Sequence, residues 1–111
     1  EKQTSNIFKQ AFLISDLLDD YEFCQEWLFL ERGLNALGKD TIAILNDKKS
    51  EAWKVLLAAA LKKHTSATNV WITGQLNMGI SQAVSQNVDK FFASGEDQKE
   101  DYQNLIINIT T

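Results

Sequence analysis

The stretch from Ala67 to Phe92 constrains the fold of this chain more than any other part of it. Two segments with helical spacing of apolar residues are separated by Asn77-Met78-Gly79, where glycine can adopt a positive φ at little cost. Thr68 and Asn69 stand before the first segment and are suited to cap a helix. The pattern predicts a short helix, a tight turn and a second helix. This arrangement is either a helix-turn-helix or an ordinary αα-hairpin in a small bundle.

The second helix of this pair divides into an apolar and a polar face. Apolar residues recur at helical spacing and predict a single inward stripe, made of Ile80, Val84, Val88, Phe91 and Phe92. The opposite face carries short polar side chains: Ser81, Gln82, Ser85, Gln86, Asp89 and Lys90. In a helix-turn-helix the second helix contacts base edges, so this face is the candidate nucleic-acid surface.

The N-terminal part of the chain is predicted to be a helical arm over residues 5–32, with a break at Asp19-Asp20. Its apolar surface is wide, which is typical of a helix contacted on more than one side. Either it covers the core of its own domain, or residues 7–30 meet a second copy or a neighbouring domain. Gly33 and Gly38 are expected to bracket a helix end and a short helical turn.

Shorter helices are predicted for the remaining segments. Residues 40–46 are predicted to form a helix with Asp40 as its N-cap. Residues 51–64 are predicted to form another, with Ser50 as its N-cap. Residues 96–107 are predicted to form an amphipathic helix, with a strand at NLIINIT as the alternative. The chain is therefore expected to be all-α, a bundle of about five or six helices in one domain over residues 1–111. Its parts are the arm (5–32), a helix-turn-helix core (33–93) and a C-terminal amphipathic segment (94–111).

Composition excludes several classes of chemistry. A single histidine and a single cysteine make a zinc site improbable, and no glycine-rich phosphate loop is present. We therefore expect no enzyme, no catalytic residue, no metal and no cofactor. No apolar run reaches the roughly 18–20 residues of a membrane span. The lone Cys24 favours a reducing, cytoplasmic setting. The first residue is Glu1, which suggests a fragment of a longer protein or a processed product.

Charge is unevenly distributed around a net value of −4. Residues 33–63 carry six basic and three acidic side chains, whereas both ends of the chain are acidic. Local density of lysine and arginine decides affinity for phosphates. This distribution permits DNA binding without requiring it.

Particular residues carry a family resemblance across residues 33–90. The sequence has G-L-x-x-L-G at 33–38, K-V-x-L-A at 54–58, W-I-x-x-x-L-x-M-G at 71–79 and V-S at 84–85, with L-K at 61–62 and Thr65 between them. This order and spacing resembles the C-terminal helix-turn-helix region of transposases of the REP-associated tyrosine group. It is also distantly similar to the helix-turn-helix of the DnaA C-terminal and Trp-repressor-like class.

The resemblance implies a role for each matching position. It places Trp71, Ile72, Leu76, Met78 and Val84 in the core of the motif, Gly79 in the turn and Ser85 in the first half of the reading helix. The catalytic histidine motif and the nucleophilic tyrosine of the family's catalytic domain have no counterpart here, so transposase activity is not implied. The relatives are also more basic around the second helix.

These patterns lead to a specific expectation, a DNA-binding module that is the non-catalytic C-terminal part of a transposase-like protein. Residues 80–92 would enter the major groove of double-stranded DNA, with base edges read by Ser81, Gln82, Ser85 and Gln86. Phosphates would be held by Lys54, Lys62, Lys63, Thr68, Asn69 and Lys90. The alternative is a protein-interaction or oligomerisation domain, such as a homodimer, that has a helix-turn-helix fold without DNA binding.

Overall fold

The computed structural model describes residues 21–110, with side chains from Gln25 onward, and this part of the chain is all-α as predicted. Six α-helices and a 3₁₀ turn at Glu96–Gln98 account for it, and no strand occurs between residues 21 and 110. The helices are α1 Tyr21–Leu37, α2 Thr41–Asn46, α3 Ala52–His64, α4 Asn69–Leu76, α5 Ser81–Ala93 and α6 Glu100–Thr110. The predicted break at Asp19-Asp20 and most of the arm over residues 5–32 lie outside the described residues.

Helix α3 is the centre of the core. It contacts α1, α4, α5 and α6, and residues 57–61 are completely buried. Three of those five residues are alanines, Ala58, Ala59 and Ala60, whose small side chains let neighbouring helices approach closely. The core therefore forms around α3, and α4 and α5 both contact it.

The end of α1 differs from the sequence-based expectation. Gly33 was predicted to end the first helix, but α1 continues to Leu37 and is followed by Gly38 at φ 70°. Gly33 is buried where α1 crosses α3, and a Cβ at this position would collide with the side chain of Leu57. This glycine allows two helices to approach each other and does not terminate one.

The ends of the other helices follow the predicted capping chemistry with one exception. The backbone N–H of Ala43 donates to the Asp40 carboxylate at 3.0 Å, so Asp40 is the N-cap of α2 as predicted. The prediction that Ser50 caps α3 was wrong. That helix begins after Glu51, and no side chain caps it. The C-terminal segment is a helix, α6, and not a strand.

Tyr102 of α6 is a tyrosine whose hydroxyl is buried in the core. Its side chain is 3% exposed and packs against Phe91 and Phe92, and its buried hydroxyl has no hydrogen-bond partner among the described residues. Burial, and secondarily the charge of Asp97, raises the pKa of Tyr102 to about 12. The neutral phenol is thus favoured in the folded state.

Tyr102→Phe is expected to raise the free energy of unfolding by about 1 kcal/mol at pH 7, because it removes an unsatisfied buried hydroxyl. Because the pKa of Tyr102 is near 10 in the unfolded chain and about 12 in the folded protein, the free energy of unfolding should fall by about 2 kcal/mol as the pH rises from 10 to 12. The variant should lack that loss. Urea unfolding at several alkaline pH values measures both effects, and an identical alkaline loss in the variant would contradict them.

Candidate nucleic-acid interface

Helices α4 and α5 are joined by a turn that adopts the predicted conformation. Thr68 caps α4 by accepting a hydrogen bond from the N–H of Trp71 at 3.1 Å. Asn77 ends the helix in the left-handed region at φ 53°, and Gly79 follows at φ 93°. Two successive departures from right-handed geometry within three residues reverse the chain so that α5 packs against α4.

The inner surface of this helix pair is made by most of the residues predicted to form its core. Ile72, Leu76 and Met78 are buried on the α4 side, and Val84 and Val88 are buried on the α5 side. Trp71, also predicted to be in the core, is only partly buried. The apolar stripe of α5 thus fixes which of its faces is turned outward.

Ile80 is an exception to the predicted stripe. It was expected to point inward, but its side chain is 63% exposed. Ile80 is the N-cap residue of α5 and has an extended backbone, with φ −124° and ψ 153°. Because the helical rotation begins only after it, the spacing from Ile80 to Val84 does not place the two on one face.

The outward face of α5 carries the polar residues predicted from sequence, although not all are equally accessible. Gln82 and Gln86 are exposed, as are Asp89 and Lys90 further along the helix. Ser81 and Ser85 are partly buried beside them. The structure therefore brings the four predicted base-reading residues onto one helix, with the two glutamines most accessible to a ligand.

The prediction that Lys54 binds phosphate was wrong, because its side chain is not accessible. Its side chain is completely buried, and its ammonium donates to the carbonyl oxygens of Ile44 at 2.7 Å, Asp47 at 3.2 Å and Asn77 at 3.4 Å. Burial lowers the pKa of Lys54, an effect that the nearby Asp47 carboxylate opposes. An ammonium has three donors, and all three are used inside the protein. Lys54 instead ties the end of α2 to the turn between α4 and α5.

Lys49 belongs to the candidate site, although the sequence did not indicate it. A Cβ on Gly79 would lie 3.2 Å from Cδ of Lys49, so the aliphatic stem of this lysine covers the turn next to α5. Lys49 is exposed and stands in a segment that reads as a solvated loop. The two positions are 30 residues apart, and no local pattern links them. Lys49 therefore lies beside the turn that leads into α5.

The predicted phosphate-binding lysines other than Lys54 lie toward the other end of α5. Lys62 and Lys63 are exposed at the end of α3, where Nζ of Lys63 is 4.0 Å from Oδ2 of Asp97 and 5.5 Å from the ring of Phe92. They are therefore near the C-terminal end of α5, which is about 20 Å long at 1.5 Å per residue. Lys90 is exposed in the last turn of α5.

Thr68 and Asn69 stand at the start of α4. The hydroxyl of Thr68 is occupied as the helix cap, although the residue itself is exposed. Asn69 is partly buried, and its side-chain oxygen has no hydrogen-bond partner within the described part of the chain. The exposed lysines thus lie toward the two ends of α5, Lys49 before its start and Lys63 and Lys90 near its end, with the exposed glutamines between them.

The chain has no match among protein-family models, curated proteins or solved structures. The resemblance to the transposase helix-turn-helix region therefore rests on the quoted residues and stays a prediction. Within residues 21–110 no helix has both the length and the apolarity to cross a membrane. Over the same residues, no three His, Cys, Asp or Glu side chains are grouped as metal ligands.

Proposed function

We propose that α4, the turn and α5 form a helix-turn-helix that binds double-stranded DNA, with α5 in the major groove. The observation that carries this proposal is the division of α5 into two faces. Val84 and Val88 fix one face in the core, and Gln82 and Gln86 stand exposed on the opposite one. Amide side chains on an exposed helix can donate to and accept from base edges, which is the chemistry of major-groove readout.

Phosphate contacts would come from lysines near both ends of α5. Lys49 lies beside the turn that leads into α5, and the positive end of that helix's dipole also favours an anion. Lys62, Lys63 and Lys90 lie toward the other end, and the exposed Thr68 lies at the start of α4. These lysines and Thr68 would fix the protein on the duplex without contributing sequence information.

The charge balance predicts a modest affinity for DNA. The chain carries a net −4, and Lys63 is close to Asp97, so only a few lysines are available to displace counterions. This fits the non-catalytic part of a transposase-like protein that acts in the cytoplasm beside a domain supplying further DNA contacts. It does not require any chemistry from the module itself.

Lys49→Ala is expected to weaken binding to all duplexes by a similar factor and to reduce the slope of log K against log salt by about 1, because one phosphate contact is lost. Fluorescence anisotropy with a labelled duplex at several salt concentrations measures both quantities. Arg32→Ala is the matched control. It removes the same charge from an exposed position on α1, the helix that is not expected to contact DNA. Equal salt slopes for the native protein and Lys49→Ala would show that Lys49 does not contact a phosphate.

A second candidate function is supported by the exposed surface of α1. Trp27 and Leu28 are adjacent, large and apolar, with exposed fractions of 41% and 44%. Such a pair is suited to contact another protein or a second copy of this chain, as expected for an interaction or oligomerisation domain. Light scattering over a range of concentrations tests self-association. A mass that stays monomeric at every concentration argues against the homodimer.

A further inference from the structure

We infer that α5 reads a three-base-pair element, with adenine opposite Gln82 and Gln86 and cytosine opposite Asp89. The inference rests on the proposed DNA binding and adds the bases that the site selects. It also assigns a role to Asp89, a carboxylate that would be unfavourable in a surface that only held phosphates.

The three side chains form one row on the outward face of α5. They occupy positions i, i+4 and i+7, which are neighbours on successive helical turns, and all three are exposed. The row is opposite Val84 and Val88, which are 0% and 5% exposed, so it stands at the most accessible part of the helix. From Gln82 to Asp89 the rise is about 10.5 Å at 1.5 Å per residue. That rise matches about three base pairs of a duplex, which follow one another at about 3.4 Å.

The chemistry of each side chain selects a different base. A glutamine amide can accept from N6 and donate to N7 of adenine at the same time. A carboxylate can only accept, and cytosine offers the N4 amino group as a donor in the major groove. Within the described part of the chain, none of these three side chains is engaged in a hydrogen bond or ion pair. They are free to make these contacts.

Selection from a randomised duplex library, followed by sequencing, tests this assignment. The native protein should enrich sites with adenine at two positions and cytosine at the third within three adjacent base pairs, each preferred about tenfold over other bases. Gln82→Ala and Gln86→Ala should each remove the preference at one adenine only. Asp89→Asn keeps the shape of the side chain but adds a donor, so the third preference should change from cytosine to adenine.

Glu31→Gln is the matched control for Asp89→Asn, because it removes the same charge from an exposed position on α1. It should enrich the same sites as the native protein. Binding without base preference, or a preference that the three substitutions leave unchanged, would overturn the inference and leave DNA binding intact. If the native protein retains no duplex at about 50 mM salt, both the inference and the proposed function are wrong.

Discussion

Lys54→Met is expected to lower the free energy of unfolding by about 3–4 kcal/mol. The substitution keeps most of the apolar volume of the side chain but removes the ammonium that three carbonyl oxygens share. The carbonyl oxygens of Ile44, Asp47 and Asn77 would lose a donor at a position where the Lys54 side chain has no exposed surface. Relief from burying a charge offsets only part of that cost. Urea unfolding followed by tryptophan fluorescence measures the change.

The matched control for this prediction is Lys62→Met on the same helix. Lys62 is exposed, so its replacement should change the free energy of unfolding by less than about 0.5 kcal/mol. Comparable losses for the two variants would show that Lys54 does not stabilise the fold through its buried hydrogen bonds. Because Lys54 holds Asn77 and the segment that leads to Lys49, Lys54→Met should also weaken DNA binding in the molecules that remain folded.

Gly33→Val is expected to lower the free energy of unfolding by about 3 kcal/mol, because it overpacks the contact between α1 and α3. A Cβ at Gly33 meets the fully buried side chain of Leu57, and Cδ1 of Ile109 is 3.4 Å away. Either the Leu57 side chain would have to change conformation within a filled core, or the two helices would have to separate. The better helix propensity of valine recovers only a fraction of a kcal/mol. Chemical unfolding of the variant and the native protein measures the difference.

Gly74→Ala, at a second glycine within a helix, is expected to stabilise the protein. Gly74 is exposed in α4, and a Cβ there has no other atom within 4 Å. The substitution should raise the free energy of unfolding by about 0.5–1 kcal/mol through helix propensity alone. A native-like stability for Gly33→Val would mean that α1 and α3 do not approach each other as closely as the structure has them.

The features that could be predicted from the sequence are those determined by neighbouring residues. The helical spacing of apolar residues gave α3, α4 and α5, and the residue types at Asp40, Thr68 and Gly79 gave two caps and a turn. These depend on interactions within a few residues, which a linear pattern contains. The polar outer face of α5 follows from the same periodicity.

The features that could not be predicted depend on contacts between distant segments. Gly33 reads as a helix terminator unless its contact with Leu57 is known, and Lys54 reads as a surface cation unless the three carbonyls around it are known. Lys49 enters the candidate site because it covers Gly79, 30 residues further along the chain. Such long-range contacts override local propensity and are absent from a single sequence.

The proposed DNA-binding face of α5 is tested most directly by amide chemical-shift mapping of the isotope-labelled protein on addition of a duplex of mixed sequence. Shifts are expected from Gly79 to Lys90 and at Lys49, with smaller ones at Lys62 and Lys63. The helix α1 should be unaffected. Shifts confined to α1, or no shifts with duplex in excess at about 50 mM salt, would contradict a helix-turn-helix that binds DNA through α5.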